Sequence, residues 1–233
     1  VRASSVFPVP SQSGRPLFEW RWVDRHFDEI LERLGEHVTL TAAALAIGLV
    51  VSIGVSVVSL RRRWFYVVAL STAGSLYVIP SLGAFAVLVP FTGLTSFTTA
   101  VIPLATYTLL ILIRNIVTGV EQVPKEVREA AIGMGFTRSR LLWQVELPLA
   151  LPVVIAGLRV AAVTTIGLVT VTSMLGKGGL GYFIRNGIQT ATPNPTSIIV
   201  GVGLSVVLAV VVDLLLWLGG RALAPWSRKA ASR

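Results

Sequence analysis

The sequence predicts an all-α, polytopic membrane protein with five transmembrane helices. Three observations carry this. Charged residues make up 13% of the 233 residues and hydrophobic residues 54%, whereas soluble domains carry roughly 25% charged residues. Mean hydropathy is +0.77. Uncharged apolar stretches recur along the chain, each near the ~20 residues needed to cross ~30 Å of hydrocarbon. The same numbers exclude intrinsic disorder. The absence of cysteine excludes disulfides, thiolate chemistry and cysteine-ligated metals.

Taken in order, residues 1–37 are not a span. Residues 1–16 are rich in Ser, Pro and Gly and read as a flexible arm. The first residue is Val1 rather than Met, which implies a non-standard start or a trimmed terminus. No apolar run of a secretory signal is present in this region. From Asp24 to Glu36, Phe27, Ile30, Leu31 and Leu34 share a helical face opposite acids and Arg. This reads as a short amphipathic helix at the outer membrane interface, anchored by Trp20 and Trp22, or docked on an external partner. His26 and His37, the only histidines, read as two surface side chains.

Val38 to Leu60 is uncharged and makes the first span, ended by Arg61, Arg62 and Arg63. No charge follows from Trp64 to Ile113, which is too long for one helix. Pro90, Thr92, Gly93, Thr95 and Ser96 divide it into spans near 64–89 and 97–117. Leu147 to about Met174 is the fourth span, interrupted by Arg159, and Ser197 to Gly219 the fifth, with Thr196 as an N-cap after Pro195.

Net charge is +9, which on a soluble chain would point to nucleic acid. Here the basic residues sort by side instead. Arg61, Arg62, Arg63, Lys125, Arg128, Arg138, Arg140, Arg221, Arg228, Lys229 and Arg233 fall on one side of the five spans. The opposite loops receive Lys177 and Arg185. The positive-inside rule then sets the N-terminus outside and the C-terminus in the cytoplasm. No nucleic-acid partner is expected. The chain divides into an external arm and interfacial helix (1–37), a membrane domain (38–225) and a basic cytoplasmic tail (226–233).

The charged stretch between spans three and four reads EQVPKEVREAAIGMGFTRSRLLWQVELPLALP. Val127, Ala130, Ala131 and Met134 fall on one face of a short helix. Pro124 suits its first turn, and Gly133 and Gly135 permit a tight turn. Leu141, Leu142 and Val145 give a second short helix, and Pro148 starts the next span. The pattern describes either a helix-turn-helix elbow over about 124–148 or an ordinary amphipathic connecting loop.

The spacing resembles the EAA signature of permease subunits of ATP-binding cassette importers. That pattern is Glu-Ala-Ala, three residues, Gly, nine residues, then Ile-x-Leu-Pro. Glu129, Ala130, Ala131, Gly135, Leu147 and Pro148 match it, with Val145 at the Ile position. The segments at 79–85, 114–124, 146–163 and 176–184 are similar to the osmoprotectant branch, and the similarity covers roughly residues 38–225. The resemblance implies an importer for glycine betaine, choline, carnitine or proline betaine in the bacterial plasma membrane. It implies two cytoplasmic ATPase subunits that hold ATP and Mg, an external solute-binding protein, and a second permease chain, identical or related. It also implies that Glu129, Ala130, Ala131, Gly133, Met134, Gly135, Phe136, Val145, Leu147 and Pro148 couple to the ATPase. The chain carries no phosphate-binding loop G-x-x-x-x-G-K-[ST], so it is expected not to be an enzyme, with no cofactor or metal of its own.

Arg159 and Asp213 sit within spans. A lone charge in hydrocarbon is costly, so each is expected to face protein or water. They pair, or Arg159 bonds unwound carbonyls; either way they are candidates for structure or gating, with a substrate role the rival. Thr164, Thr165, Thr170, Thr172 and Ser173 are candidates for the translocation path, though helix packing explains them equally. Tyr77, Phe85, Phe91, Phe97 and Tyr107 are the aromatics available for a quaternary ammonium cage, and packing or lipid contact is the simpler reading. Gly176, Gly178, Gly179 and Gly181 read as an external flexible loop. Two other classes stand beside the importer permease: an ion-driven secondary carrier, and a membrane scaffold. A third variant is a permease for another small polar solute such as an amino acid.

Overall fold

The computed structural model describes residues 17–176, 178–190 and 193–225. The expected flexible arm, Lys177 and the basic tail lie outside them. The described residues form helices α1 (Trp20–Arg25), α2 (Phe27–Arg61), α3 (Arg63–Val78), α4 (Ser81–Thr92), α5 (Phe97–Glu121), α6 (Lys125–Gly133), α7 (Arg138–Leu141), α8 (Leu147–Val171), α9 (Gly181–Gln189) and α10 (Pro195–Leu223). Four continuous helical stretches have the length and apolarity of membrane spans: α2, α5, residues 138–175 through α8, and α10. α3 and α4, bent by 93° at their junction, make a fifth when taken together as one broken span.

The break between residues 37 and 38 does not occur. α2 runs unbroken for 35 residues, about 50 Å at 1.5 Å per residue. The amphipathic stretch is the first part of this helix, because Ile30 is buried against Leu180, Phe183 and Val200 rather than lying free on a membrane surface. Further along, His37, Thr41, Ala44, Gly48, Ser52, Ser56 and Ser59 form one buried stripe. These small residues let α2 approach α5 closely. A Cβ at Gly48 would overlap the Thr108 hydroxyl of α5.

The second span, expected at 64–89, is broken inside. Pro80 lacks an N–H, and the residue before it is driven to extended geometry. Ile79 accordingly sits at φ −60°, ψ 127°. The Tyr107 hydroxyl donates to the Ile79 carbonyl at 2.5 Å, so α5 supplies the hydrogen bond that the break removes from the helix. The next boundary falls at Gly93 to Ser96, as expected, but Pro90 stays inside α4 rather than ending it. α4 ends at Thr92, Gly93 takes φ +88°, and Ser96 caps α5 by accepting the Thr98 N–H.

α5 is the central helix. Leu40 and Ala44 of α2, Phe85 of α4, Ala100, Val101 and Leu104 of α5, and Val169 of α8 close the core around it. At one end of the molecule Val57 and Leu60 meet Val120, Leu142 and Ala150. At the other, Ile30 meets α9 and Val200 of α10. α2, α5 and α10 therefore run in one direction and α8 in the other.

Two further expectations are corrected. His37 is not a surface residue: it is fully buried. Its Nε2–H donates to the Ile166 carbonyl at 3.1 Å, and its Nδ1 accepts the Leu180 N–H at 3.3 Å. The glycine segment is not a loose loop either. Gly178, Gly179 and Gly181 are buried. A Cβ on Gly178 or Gly181 would strike the backbone of Ser173 or Thr170, and one on Gly179 would strike Arg33 and His37. The glycines are there for close approach, which flexibility does not require.

Candidate functional site

The elbow is built at the end of the molecule where α5 finishes. Pro124 caps α6 in extended geometry, as a residue without an N–H can. Arg128 reaches back to the Val120 carbonyl and pairs with Glu146 at 3.0 Å, tying α6 to the start of α8. Gly135 makes the turn at φ +83°, a conformation that costs other L-residues about 1–2 kcal/mol. The Thr137 hydroxyl then caps α7 by accepting the Arg140 N–H, and the Arg140 guanidinium lies 4.5 Å over the Phe136 ring.

The structure divides the expected apolar face of α6. Ala131 turns inward at 1% exposure, while Met134 is 70% and Ile132 58% exposed. Glu129, Ala130 and Gly133 lie outward with them, Val127 is also exposed, and Phe136 is half-buried. The result is a small knob of apolar side chains standing off the body. Ile132 was not singled out by helical spacing, because it lies off the face defined by Val127 and Met134.

The second short helix is not separate from the fourth span. α7 passes through a π-helical turn, Leu142–Glu146, directly into α8. Val145, Leu147 and Pro148 are half-buried there. Pro148 does not start the span; the wider turn before it accommodates a residue that lacks an N–H and would crowd the preceding turn. From Arg138 to Leu175 the chain is one helical stretch of 38 residues.

Arg159 and Asp213 meet. Arg159 donates from Nε to Oδ1 at 2.7 Å and from a terminal nitrogen to Oδ2 at 2.6 Å. This fork-to-carboxylate geometry fixes both groups. The pair joins α8 to α10 and lines an open groove of about 420 Å³ with Ala156, Val160, Val163 and Thr164. Of the other threonine and serine candidates, Thr165, Thr172 and Ser173 are buried and Thr170 half-buried. Each of the five, Thr164 included, donates to a carbonyl of its own helix.

The aromatic candidates do not come together. Tyr77 and Tyr107 pair edge to face at 5.6 Å beside the Ile79 break. Phe85 is fully buried, whereas Phe91 is 81% exposed. Among the described residues no three His, Asp or Glu side chains form a metal cluster.

Fold and site thus define a polytopic membrane subunit with a projecting helical knob at one end and a charge pair between two spans. The sequence profile of the binding-protein-dependent transport system inner membrane component matches residues 39–222. The chain belongs to this family, as a permease subunit of an ABC importer in the bacterial inner membrane. It is 34% identical to the osmoprotectant import permease protein OsmW of Salmonella typhimurium, covering 78% of this chain and 85% of that one. It is 36% identical to the choline transport system permease protein OpuBD of Bacillus subtilis, over 86% and 88% of the two chains. Among solved structures, an inward-facing MetNI methionine ABC transporter shares the fold with TM-score 0.70 at 20% identity, covering 84% of this chain and 94% of that one.

Proposed function

We propose that this permease carries a small osmoprotectant of the choline, glycine betaine, carnitine or proline betaine type, driven by ATP hydrolysis on separate subunits. The observation that carries the solute class is the 30–36% identity to permeases named for choline, carnitine and glycine betaine, over most of both chains. In this reading the N-terminus is outside and the elbow faces the cytoplasm, where basic residues are favoured. Two ATPase subunits, holding ATP and Mg, dock on the elbow. A solute-binding protein delivers cargo from outside, and a second permease chain completes the path.

The elbow suits that role physically. Ile132 and Met134 offer an apolar knob to a groove, and Glu129 sits exposed beside them. Arg128–Glu146 makes α6 move with α8. A push on the knob therefore reaches the whole 38-residue helical stretch, including Arg159. Arg159–Asp213 then acts as a gate between α8 and α10, and Thr164 belongs to the groove beside it. Thr165, Thr170, Thr172 and Ser173 follow along the same helix as path candidates.

The test is purification through a C-terminal tag, identification of the co-purifying ATPase, and choline uptake by the reconstituted complex with ATP inside the vesicles. Gly135→Val places a β-branched residue at φ +83° and is expected to abolish ATP-dependent uptake while the chain still inserts. Uptake that persists without ATP would support an ion-driven carrier instead.

A further inference from the structure

We infer that the end opposite the elbow carries a second solute site, a small ring-lined cavity that takes a trimethylammonium cation. The choice of ligand rests on the osmoprotectant reading above; the cavity does not. It measures about 180 Å³ and is lined by Trp22, His26, Glu29, Tyr182, Asn186 and Asn194, among others. Pockets for drug-sized molecules hold roughly 300–1,000 Å³, so this one suits an occupant of a few heavy atoms.

The walls are aromatic and held in place. Trp22 stacks on His26 at 4.2 Å, and the His26 Nδ1–H is bonded to the Trp22 carbonyl at 2.7 Å. Trp22 and Tyr182 both meet the buried Phe183 edge to face, at 5.9 and 5.5 Å. Such ring faces attract cations; Tyr182 already meets the guanidinium of Arg33 at 4.1 Å and that of Arg185 at 5.9 Å, so Trp22 is the ring left for a bound cation. The cavity floor is tied to the fold, since Ser197 donates its hydroxyl to the Phe183 carbonyl and Asn194 caps α10.

The charge is right for a cation. Among the described residues Glu29 has no hydrogen bond and no ion pair, and it is only half-buried. Of the neighbouring cations, Arg33 is paired with Glu36 at 3.1 Å, while Arg185 and Arg25 keep their charge and are turned onto the Ser173 and Arg21 carbonyls. Residues 17–37 hold six of the eleven acids of a chain whose net charge is +9, namely Glu19, Asp24, Asp28, Glu29, Glu32 and Glu36, against three Arg. This end is therefore locally acidic in a basic protein. The Asn186 and Asn194 amides supply donors for the oxygen at the other end of such a solute. Trp22, His26 and Glu29 precede the family match, which begins at residue 39. The site is thus assembled from the first part of α2 and the helix before it, laid on α9 and α10.

The test is direct binding of radiolabelled choline to the purified chain in nanodiscs of phosphatidylglycerol and phosphatidylethanolamine. Saturable binding is expected, weakened roughly tenfold by Glu29→Gln or by Trp22→Ala, as the loss of a carboxylate or a ring face requires. The neutral carbon isostere 3,3-dimethylbutanol should bind at least as much more weakly. Thermal melting checks that Glu29→Gln, an isosteric change at a half-buried position, leaves the fold intact. No saturable binding, equal binding of the isostere, or unchanged affinity in Glu29→Gln overturns the proposal. So does loss of choline binding in phosphatidylcholine nanodiscs, which assigns the cavity to a lipid headgroup. Choline binding that depends on Glu29, without choline uptake by the complex, would sink the transport reading and leave this site. Uptake without such binding would sink the site alone.

Discussion

α5 and α10 are both apolar enough to cross a bilayer, and they are buried to opposite degrees. α10 is the more apolar of the two and the less buried: 17% of its most apolar stretch is buried, against 61% for α5. In water the order would be reversed, because burial follows hydrophobicity. In a bilayer, lipid tails accept Val and Leu as readily as a protein core does, so packing sorts helices by side-chain size and hydrogen bonding instead. α5 is enclosed because its neighbours bring small residues to it: Gly48 of α2 against Thr108, Gly157 of α8 against Asn115, and Ala150 of α8 against its own Gly119. α10 keeps Val206, Val210 and Leu214 outward, while Gly201 packs on Leu180 and Ile184, Gly220 packs on Ile155, and Asp213 pairs with Arg159.

The largest effect is expected where α5 is tightest. A Cβ at Gly157 would lie 2.5 Å from the Asn115 Cβ, so Gly157→Leu should cost about 1–3 kcal/mol or more. Thermal melting of the detergent-extracted chain would show it as a large loss of folded protein. Unchanged melting would mean that the α5–α8 contact is looser than described.

The α8–α10 ion pair comes next. Arg159→Ala or Asp213→Ala leaves one charge unpaired between apolar helices, and uptake should fall roughly tenfold or more. The double alanine variant, or the swapped pair, should recover a substantial part of the activity, since paired positions couple. Single variants that transport like the parent would remove the pair from the gate.

A smaller change is expected at the far end of α2. His37→Ala strips the Leu180 N–H of its acceptor, which should cost about 1–3 kcal/mol. Hydrogen exchange at the glycine segment is the sharper readout, because protection there depends on His37 and on the Glu36 carboxylate that accepts the Gly179 N–H. Faster exchange confined to residues 178–181 is the expected pattern; no change would make His37 mere packing. The smallest effect belongs to the outward face of α10, where Val210→Leu should shift stability by no more than about 0.5 kcal/mol. If it proves as damaging as Gly157→Leu, that face meets protein rather than lipid and the comparison with α5 fails.

Much of this was readable beforehand, for identifiable reasons. Spans announce themselves because hydrocarbon tolerates no charge, and the arginines at 61–63 end the first one accordingly. The partnership of Arg159 and Asp213 follows from the same cost, which makes each seek the other. The turn at Gly135 is local chemistry, although Gly133 stays within α6 rather than breaking it, and the EAA spacing around it carries the family. The bend at Ile79 was hidden, although Pro80 was in view, because a long uncharged run masks a break when a distant Tyr107 satisfies the freed carbonyl. The π-helical turn before Pro148 was missed for a related reason: a proline can begin a helix or be absorbed within one.

The sequence by itself determined that this chain lives in a membrane, that it does so as a set of long apolar helices, and which stretch forms the projecting elbow. Those properties depend on residues close together in the chain, or on the cost of charge in hydrocarbon. The tertiary structure alone decided that His37 is buried, that the glycines at 178–181 are packed rather than loose, and that Ile132 stands outward while Ala131 turns in. A histidine, a glycine or an alanine fits either setting equally well, and only the neighbours brought to it by the other helices choose between them.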